Sequence, residues 1–323
     1  VLSLFKKNLF VNSALIAVFA VALHVKFFVY PEISPVDIPL FDFLNTFLNS
    51  SSIVQSIVTI ILIVVQALLI SNYVTVNRLS RALSVIPGAV FVLYSYTILE
   101  PDNFNIILLA NLFLILSLGS LFEIYKKYQP VSILFNAGFF LGIATMLYFP
   151  YLIFLIALII GLYNLRNFNL KEFLQIFFGL MSVIFLSGVY AFYFDRLDVW
   201  YGIFMQSFTL PHFDFSDVYI WIKPLFLLIT IIIILGLNNS LRKKKKYDAI
   251  RKIELTYSMC LLGLVSIFMV TDITPQHLII MSFPISVLGG MVLEQKEYYY
   301  FKEFVFLLLI GFFIALSYNY LSF

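Results

Sequence analysis

Along this chain, apolar stretches of about 20 residues alternate with short polar segments, from one end of the sequence to the other. The alternation predicts eleven membrane-spanning helices, over 9–30, 53–71, 83–99, 104–122, 131–148, 151–165, 173–194, 221–240, 254–270, 277–293 and 304–321. Most have the length that crosses a hydrocarbon core of about 30 Å at about 1.5 Å rise per residue. The stretch 131–165 reads as one long tilted helix or as two short ones broken at Tyr148-Phe149-Pro150. Proline removes a backbone donor and disfavours helix at the residue before it. Pro87 and Pro284 fall inside predicted spans and predict kinks there. Gly138 and Gly142, one turn apart, predict a close helix crossing.

The loops carry their own pattern. Tyr30 to Asp42 contains three prolines and cannot be one helix. Beyond it, apolar residues at 43, 44, 47 and 48 fall at helical spacing, with polar residues on the other face. This predicts a short amphipathic helix in the membrane interface, with Asp42 as its N-cap. Asp102 or Asn103, after Pro101, is expected to cap the next span. Asn169, with Glu172 in the following turn, is expected to open the helix at 173–194.

Composition makes the bilayer the consistent solvent. Hydrophobic residues are 62% of the chain, charged residues 11%, and the mean hydropathy is +1.02. No soluble domain is expected. The net charge of +3 is too small to indicate nucleic acid as a partner, and the single cysteine, Cys260, excludes an intrachain disulfide. Lys6 and Lys7 ahead of an apolar run, with Ala20-Val21-Ala22 beyond, resemble a signal peptide. The run continues past that site to span length, so a retained first helix is the reading.

Charge then sets the threading. With the N-terminus inside and the C-terminus outside, 17 of the 20 lysines and arginines lie inside, and Lys26, Arg196 and Lys223 lie outside. Only two short helices over 131–165 keep the basic pairs at 126–127 and 166–171 on one side. Their break is expected in the outer half of the membrane, buried in protein.

Candidate chemistry concentrates on the outer side, with most of the acids and all three histidines, His24, His212 and His277. Glu32, Asp37 and Asp42 on the first loop could serve as a general base at the membrane surface, or simply cap and solvate a surface helix. His24 and Lys26 in the outer third of the first span, together with Arg196, could bind an anionic headgroup or a lipid phosphate. His212, Asp214 and Asp217 have a spacing that admits part of a metal site, but no second histidine or cysteine is near, and no metal is expected. Asp272 and His277 could pair, or cap and begin a helix. On the inner side, Arg242, Lys243, Lys244, Lys245 and Lys246 anchor the topology and could bind anionic lipids. Walker A, H-E-x-x-H, G-x-S-x-G, C-x-x-C and G-x-G-x-x-G motifs are absent from the sequence.

Two resemblances follow from residues. Ser3-Leu4-Phe5-Lys6-Lys7-Asn8, the stretch Leu141 to Pro150, and Arg166 to Phe173 resemble an uncharacterised family of bacterial polytopic inner-membrane proteins, over most of the chain. The layout of the first seven spans is similar to the membrane module of GT-C glycosyltransferases. That resemblance implies a module over 1–194, additional helices over 195–323, and a polyprenyl-phosphate-linked sugar donor. It also implies a catalytic acid on the first loop, which only Glu32, Asp37 or Asp42 could supply, and a divalent cation as the one cofactor. The adjacent D-D or D-E pair usual there is absent. The expectation is therefore one all-α membrane domain over 1–323, partnered by membrane lipids and by a protein in a membrane complex. Its role is a non-catalytic component of cell-envelope assembly. A GT-C-like transferase at the outer face, or a transporter or lipid flippase with Gln66, Asn111 and Asn136 at mid-membrane, are the alternatives.

Overall fold

In the computed structural model the described residues are 9–29, 35–36, 38, 41–80, 84–99, 104–125, 127–166, 169–205, 225, 229–230, 232–233, 236, 245–270, 274–294, 300 and 303–311. Among them the chain is helical, with no strand. Six segments are long and apolar enough to cross a membrane: Ser52–Val76, Ile106–Glu123, Phe149–Arg166, Leu170–Tyr193, Tyr247–Met269 and Pro275–Glu294. This is compatible with an integral, multi-pass membrane protein. The predicted span 221–240 and the second half of 304–321 lie largely outside the described residues.

The elements run α1 (Leu9–Val29), α2 (Asp42–Leu48), α3 (Ser52–Val76), α4 (Ile86–Ile98), α5 (Ile106–Glu123), α6 (Val131–Leu147), α7 (Phe154–Arg166), α8 (Leu170–Tyr193), α9 (Leu197–Met205), α10 (Tyr247–Val265) and α11 (Ser282–Glu294). Short 3-10 helices at Phe149–Ile153, Ser266–Met269 and Pro275–Met281 lead into or out of the longer ones.

The centre is α4 packed on α11 and α3. Every residue of α4 is buried. A Cβ on Gly290 would lie 2.6 Å from Cα of Pro87, and one on Gly88 would lie 2.5 Å from the Ala67 carbonyl. Only a hydrogen fits at either point, so these glycines set how closely the helices approach. The same device joins α6 to α8. A Cβ on Gly138 would overlap the carbonyl of Ile176, and one on Gly179 would overlap the carbonyl of Phe135. Gly142 faces Val183 in the same seam, so the pair at 138 and 142 forms the close crossing its spacing predicts.

The stretch 131–165 is broken where the proline places the break. Tyr148 is extended (φ −152°, ψ 105°), and a 3-10 turn follows before α7. Phe149, Pro150 and Tyr151 are buried in protein, and Tyr151 Oη donates to the Ile107 carbonyl at 3.2 Å. The irregular backbone is thus kept from lipid.

Four local expectations are corrected. Pro87 lies in the first turn of α4 and kinks nothing. A proline there lacks only an amide that has no intrahelical acceptor. Pro284 lies three residues into α11, beside the joint between 3-10 and α geometry, rather than inside a continuous helix. Asn105 caps α5, accepting from the Ile107 amide at 2.7 Å, in place of Asp102 or Asn103. The span expected to open at 254 opens at Tyr247, which brings Asp248, Arg251 and Lys252 onto the helix. Asn169 does cap α8, accepting from the Lys171 amide at 3.1 Å, with Glu172 in the first turn.

Gly138→Val should destabilise the protein by about 2–3 kcal/mol through overpacking of the α6–α8 seam. Gly119→Ala, where an added Cβ meets open space, should leave it unchanged. Denaturant titration of the two variants in detergent micelles measures both.

Candidate functional site

Three groups of polar side chains stand out: one at each end of the bundle and one inside it. The first is built on α2. Asn45 and Asn49 lie one turn apart, and each bonds both the backbone N–H and the carbonyl of one residue that precedes the helix. Asn45 accepts from the Ile38 amide at 2.7 Å and donates to its carbonyl at 3.1 Å. Asn49 does the same with Val36, at 2.9 Å in both directions. Part of the polar face of α2 therefore holds the loop rather than meeting water. Phe43 and Phe47 are exposed on α2, as an interfacial helix requires.

Asp42 is the first residue of α2, and the N-cap position falls on Phe41. The expected capping role is replaced by an ion pair. Arg196 Nη1 donates to Asp42 Oδ1 at 2.6 Å, and Nη2 engages Oδ2. A guanidinium fork matches a carboxylate in this two-point way. Phe41 stacks on Tyr190 beside it, with ring centroids 5.7 Å apart. Arg196 reaches this place because α8 ends on Asp195 in the left-handed region (φ 53°), with the Arg196 amide bonded back to the Ala191 carbonyl at 2.8 Å. The pair unites one predicted catalytic acid with one predicted headgroup cation, and both remain partly exposed. Glu32 and Asp37 lie outside the described residues, as do His212, Asp214, Asp217 and Asp272. Of Lys26, only the backbone on α1 is described. His24 is buried and turned into the bundle, with Nδ1 3.1 Å from Tyr96 Oη.

The second group is interior. Asn111 on α5 donates to Gln66 Oε1 at 2.7 Å and to Ser282 Oγ at 3.0 Å, and Gln66 donates to the Leu108 carbonyl at 2.9 Å. Nearby, His277 lies between Tyr148 Oη, 2.9 Å from Nδ1, and Ser266 Oγ, 3.0 Å from Nε2. Ser266 donates its own proton to the Gly263 carbonyl at 2.6 Å, so it accepts from Nε2–H. Nδ1 is then the acceptor for the Tyr148 hydroxyl, which assigns the neutral tautomer from the network. Asn136, the third mid-membrane candidate, is exposed instead.

The third group lines a cavity of about 430 Å³ at the opposite end from α2. Its walls are the last turn of α3 and the segment after it, the start of α10, and Tyr125. Arg78, Lys245, Lys246 and Lys252 line it, with Asp248 as the acid. Lys252 is only 7% exposed although charged. Its Nζ donates to Asn77 Oδ1 at 2.5 Å and lies 5.6 Å and 5.9 Å from the ring centroids of Tyr125 and Phe122. Lys245 Nζ donates to the Leu79 carbonyl at 2.5 Å, and the Tyr125 hydroxyl donates to Asp248. Of the predicted inner-face run, Lys245 and Lys246 belong to this cavity, while Arg242, Lys243 and Lys244 lie outside the described residues.

In the sequence alone, Arg78 and Lys252 stand only among the 17 basic residues that set the threading. A signal for Lys252 was present. Ala249, Lys252, Ile253, Thr256, Met259, Cys260 and Gly263 recur at helical spacing on one buried face, and Lys252 is its charged member.

Among the described residues, no three His, Cys, Asp or Glu gather where they could hold a metal ion. Comparison of the chain with protein-family models, with curated proteins and with solved structures finds no match.

Asn111→Leu should cost about 1–3 kcal/mol, because Gln66 Oε1 and Ser282 then lose a buried partner. Adding Gln66→Leu should return part of that loss. Equilibrium unfolding in detergent, read as a double-mutant cycle, gives the coupling.

Proposed function

We propose that this protein is a non-catalytic integral component of the bacterial inner membrane, acting in cell-envelope assembly as a subunit of a larger complex. The observation that carries this reading is the interior network. Gln66, Asn111 and Ser282 bond to one another and to backbone, as do Tyr148, Ser266 and His277. Polar groups arranged that way hold helices in register. A transporter needs such groups turned toward a passing solute.

Two further features support the scaffold. Among the six candidate spans, Leu170–Tyr193 has the smallest share of its apolar window buried, and it exposes Phe178, Phe185, Leu186 and Phe192. A lateral surface of that kind suits a helical partner within the membrane. At the α2 end, Arg196 engages both carboxylate oxygens of Asp42, a meeting of first-loop acid and cation that a GT-C-like transferase would also use, and that reading stays the alternative. Purification in a mild detergent followed by mass spectrometry tests the role. A protein recovered in fixed stoichiometry is the expected result, and recovery of the chain with lipid alone would refute it.

The end that carries Arg78, Lys127, Arg166, Lys171, Lys246 and Lys252 is the cytoplasmic one in this reading, by the positive-inside rule. Lys246 is exposed, and the one native cysteine, Cys260, is buried. Lys246→Cys should therefore resist an impermeant maleimide on intact spheroplasts and react once the membrane is opened. Labelling from outside would reverse the orientation.

A further inference from the structure

We infer that the basic cavity between the end of α3 and the start of α10 binds a phosphate group, that of an anionic lipid headgroup at the membrane boundary. This does not depend on the scaffold role. The cavity, of about 430 Å³, has room for a phosphate diester and the start of its glycerol. Four basic residues, Arg78, Lys245, Lys246 and Lys252, line it against one acid, Asp248, which accepts from the Tyr125 hydroxyl and attracts Lys252. The balance of charge therefore calls for an anion.

Lys252 sets the depth. It lies five residues beyond Tyr247, the first residue of α10, which is about 7–8 Å along the helix axis. The headgroup layer on each side of a bilayer is of that order, about 5–8 Å. Its stem is buried between helices, and its ammonium is presented beside Asn77 and the ring of Tyr125. An ammonium has three donors, of which Asn77 Oδ1 takes one.

Arg78 supplies an independent argument. It occupies the left-handed region (φ 54°) at the end of α3, where glycine is the usual residue. A side chain there is strained relative to glycine. Because of that turn the Leu79 amide bonds back to the Val74 carbonyl at 3.0 Å, and Leu79 is buried. Arg78 is among the residues that line the cavity.

The test is native mass spectrometry of the detergent-purified protein with added phosphatidylglycerol or phosphatidylcholine. Preferential retention of phosphatidylglycerol is expected, weakened at least about tenfold by Lys252→Gln or Lys246→Gln. Lys171→Gln, an exposed cation on α8 away from the cavity, should leave it unchanged. Should Lys252→Gln fail to fold, Lys246→Gln and Arg78→Gln carry the comparison. Equal retention of the two lipids, or an equal loss in Lys171→Gln, overturns the proposal. Displacement of phosphatidylglycerol by millimolar inorganic phosphate would keep the phosphate site but move its source from lipid to solute.

Discussion

A peptide group or amide at the depth of the hydrocarbon has no water to bond to, so a partner within the chain stabilises it strongly. Much of this bundle follows from that constraint. A glutamine, an asparagine and a serine from α3, α5 and α11 meet because none can face lipid. The break after α6 is buried against α5, where Tyr151 closes it on the Ile107 carbonyl. His277 is held in one tautomer by a tyrosine from the break and a serine at the end of α10. Such bonds are individually modest in a membrane, about 0.6–2 kcal/mol each. Their larger effect is on register, since a shift of one turn would leave several of them unmade at once. The glycine contacts set the distances at which this register is reached.

The constraint relaxes at the ends of the helices, and the two ends use that freedom differently. On the α2 side, polar groups are closed against one another: asparagine on peptide, arginine on aspartate. On the other side, cations are gathered around an open volume. The same backbone device appears in both places. Asp195 ends α8 and Arg78 ends α3 in left-handed geometry, each without glycine. Beyond Asp195 the chain turns so that Arg196 meets an acid. At Arg78 it leaves a basic residue in the wall of a cavity.

The all-helical class and the helix starts at 131 and, through the Asn169 cap, at 170 were legible because apolar length and capping residues act locally. The proline at 150 marked its break for the same reason. What the sequence could not show is pairing across long separations. Nothing local to Gln66 names Asn111, and nothing local to Asp42 names Arg196. The α2 face misled because asparagines at helical spacing look solvent-facing, whereas Asn45 and Asn49 bind a loop already passed. The start of α10 misled because a hydropathy window rejects charge. Lys252 is tolerated there because its stem is buried while its head reaches Asn77 and two aromatic rings.

That tolerance separates two uses of a cation at the same end of the molecule. Arg166 closes structure. It donates to the Ile124 carbonyl at 3.2 Å and to that of Lys127, and it pairs with Glu172 at 3.0 Å, so it caps α5 and ties α7 to α8. A cation spent in this way needs no ligand. Lys252 has an amide oxygen, two ring faces and, one turn away, the Asp248 carboxylate to offset the cost of burying its ammonium, and that one acid stands against four basic residues around the cavity. Helix packing alone would be served as well by leucine or methionine at that position, which would carry no desolvation cost. A lysine on the buried face, beside three more cations around a cavity, is better explained by an anion that arrives than by the packing it interrupts.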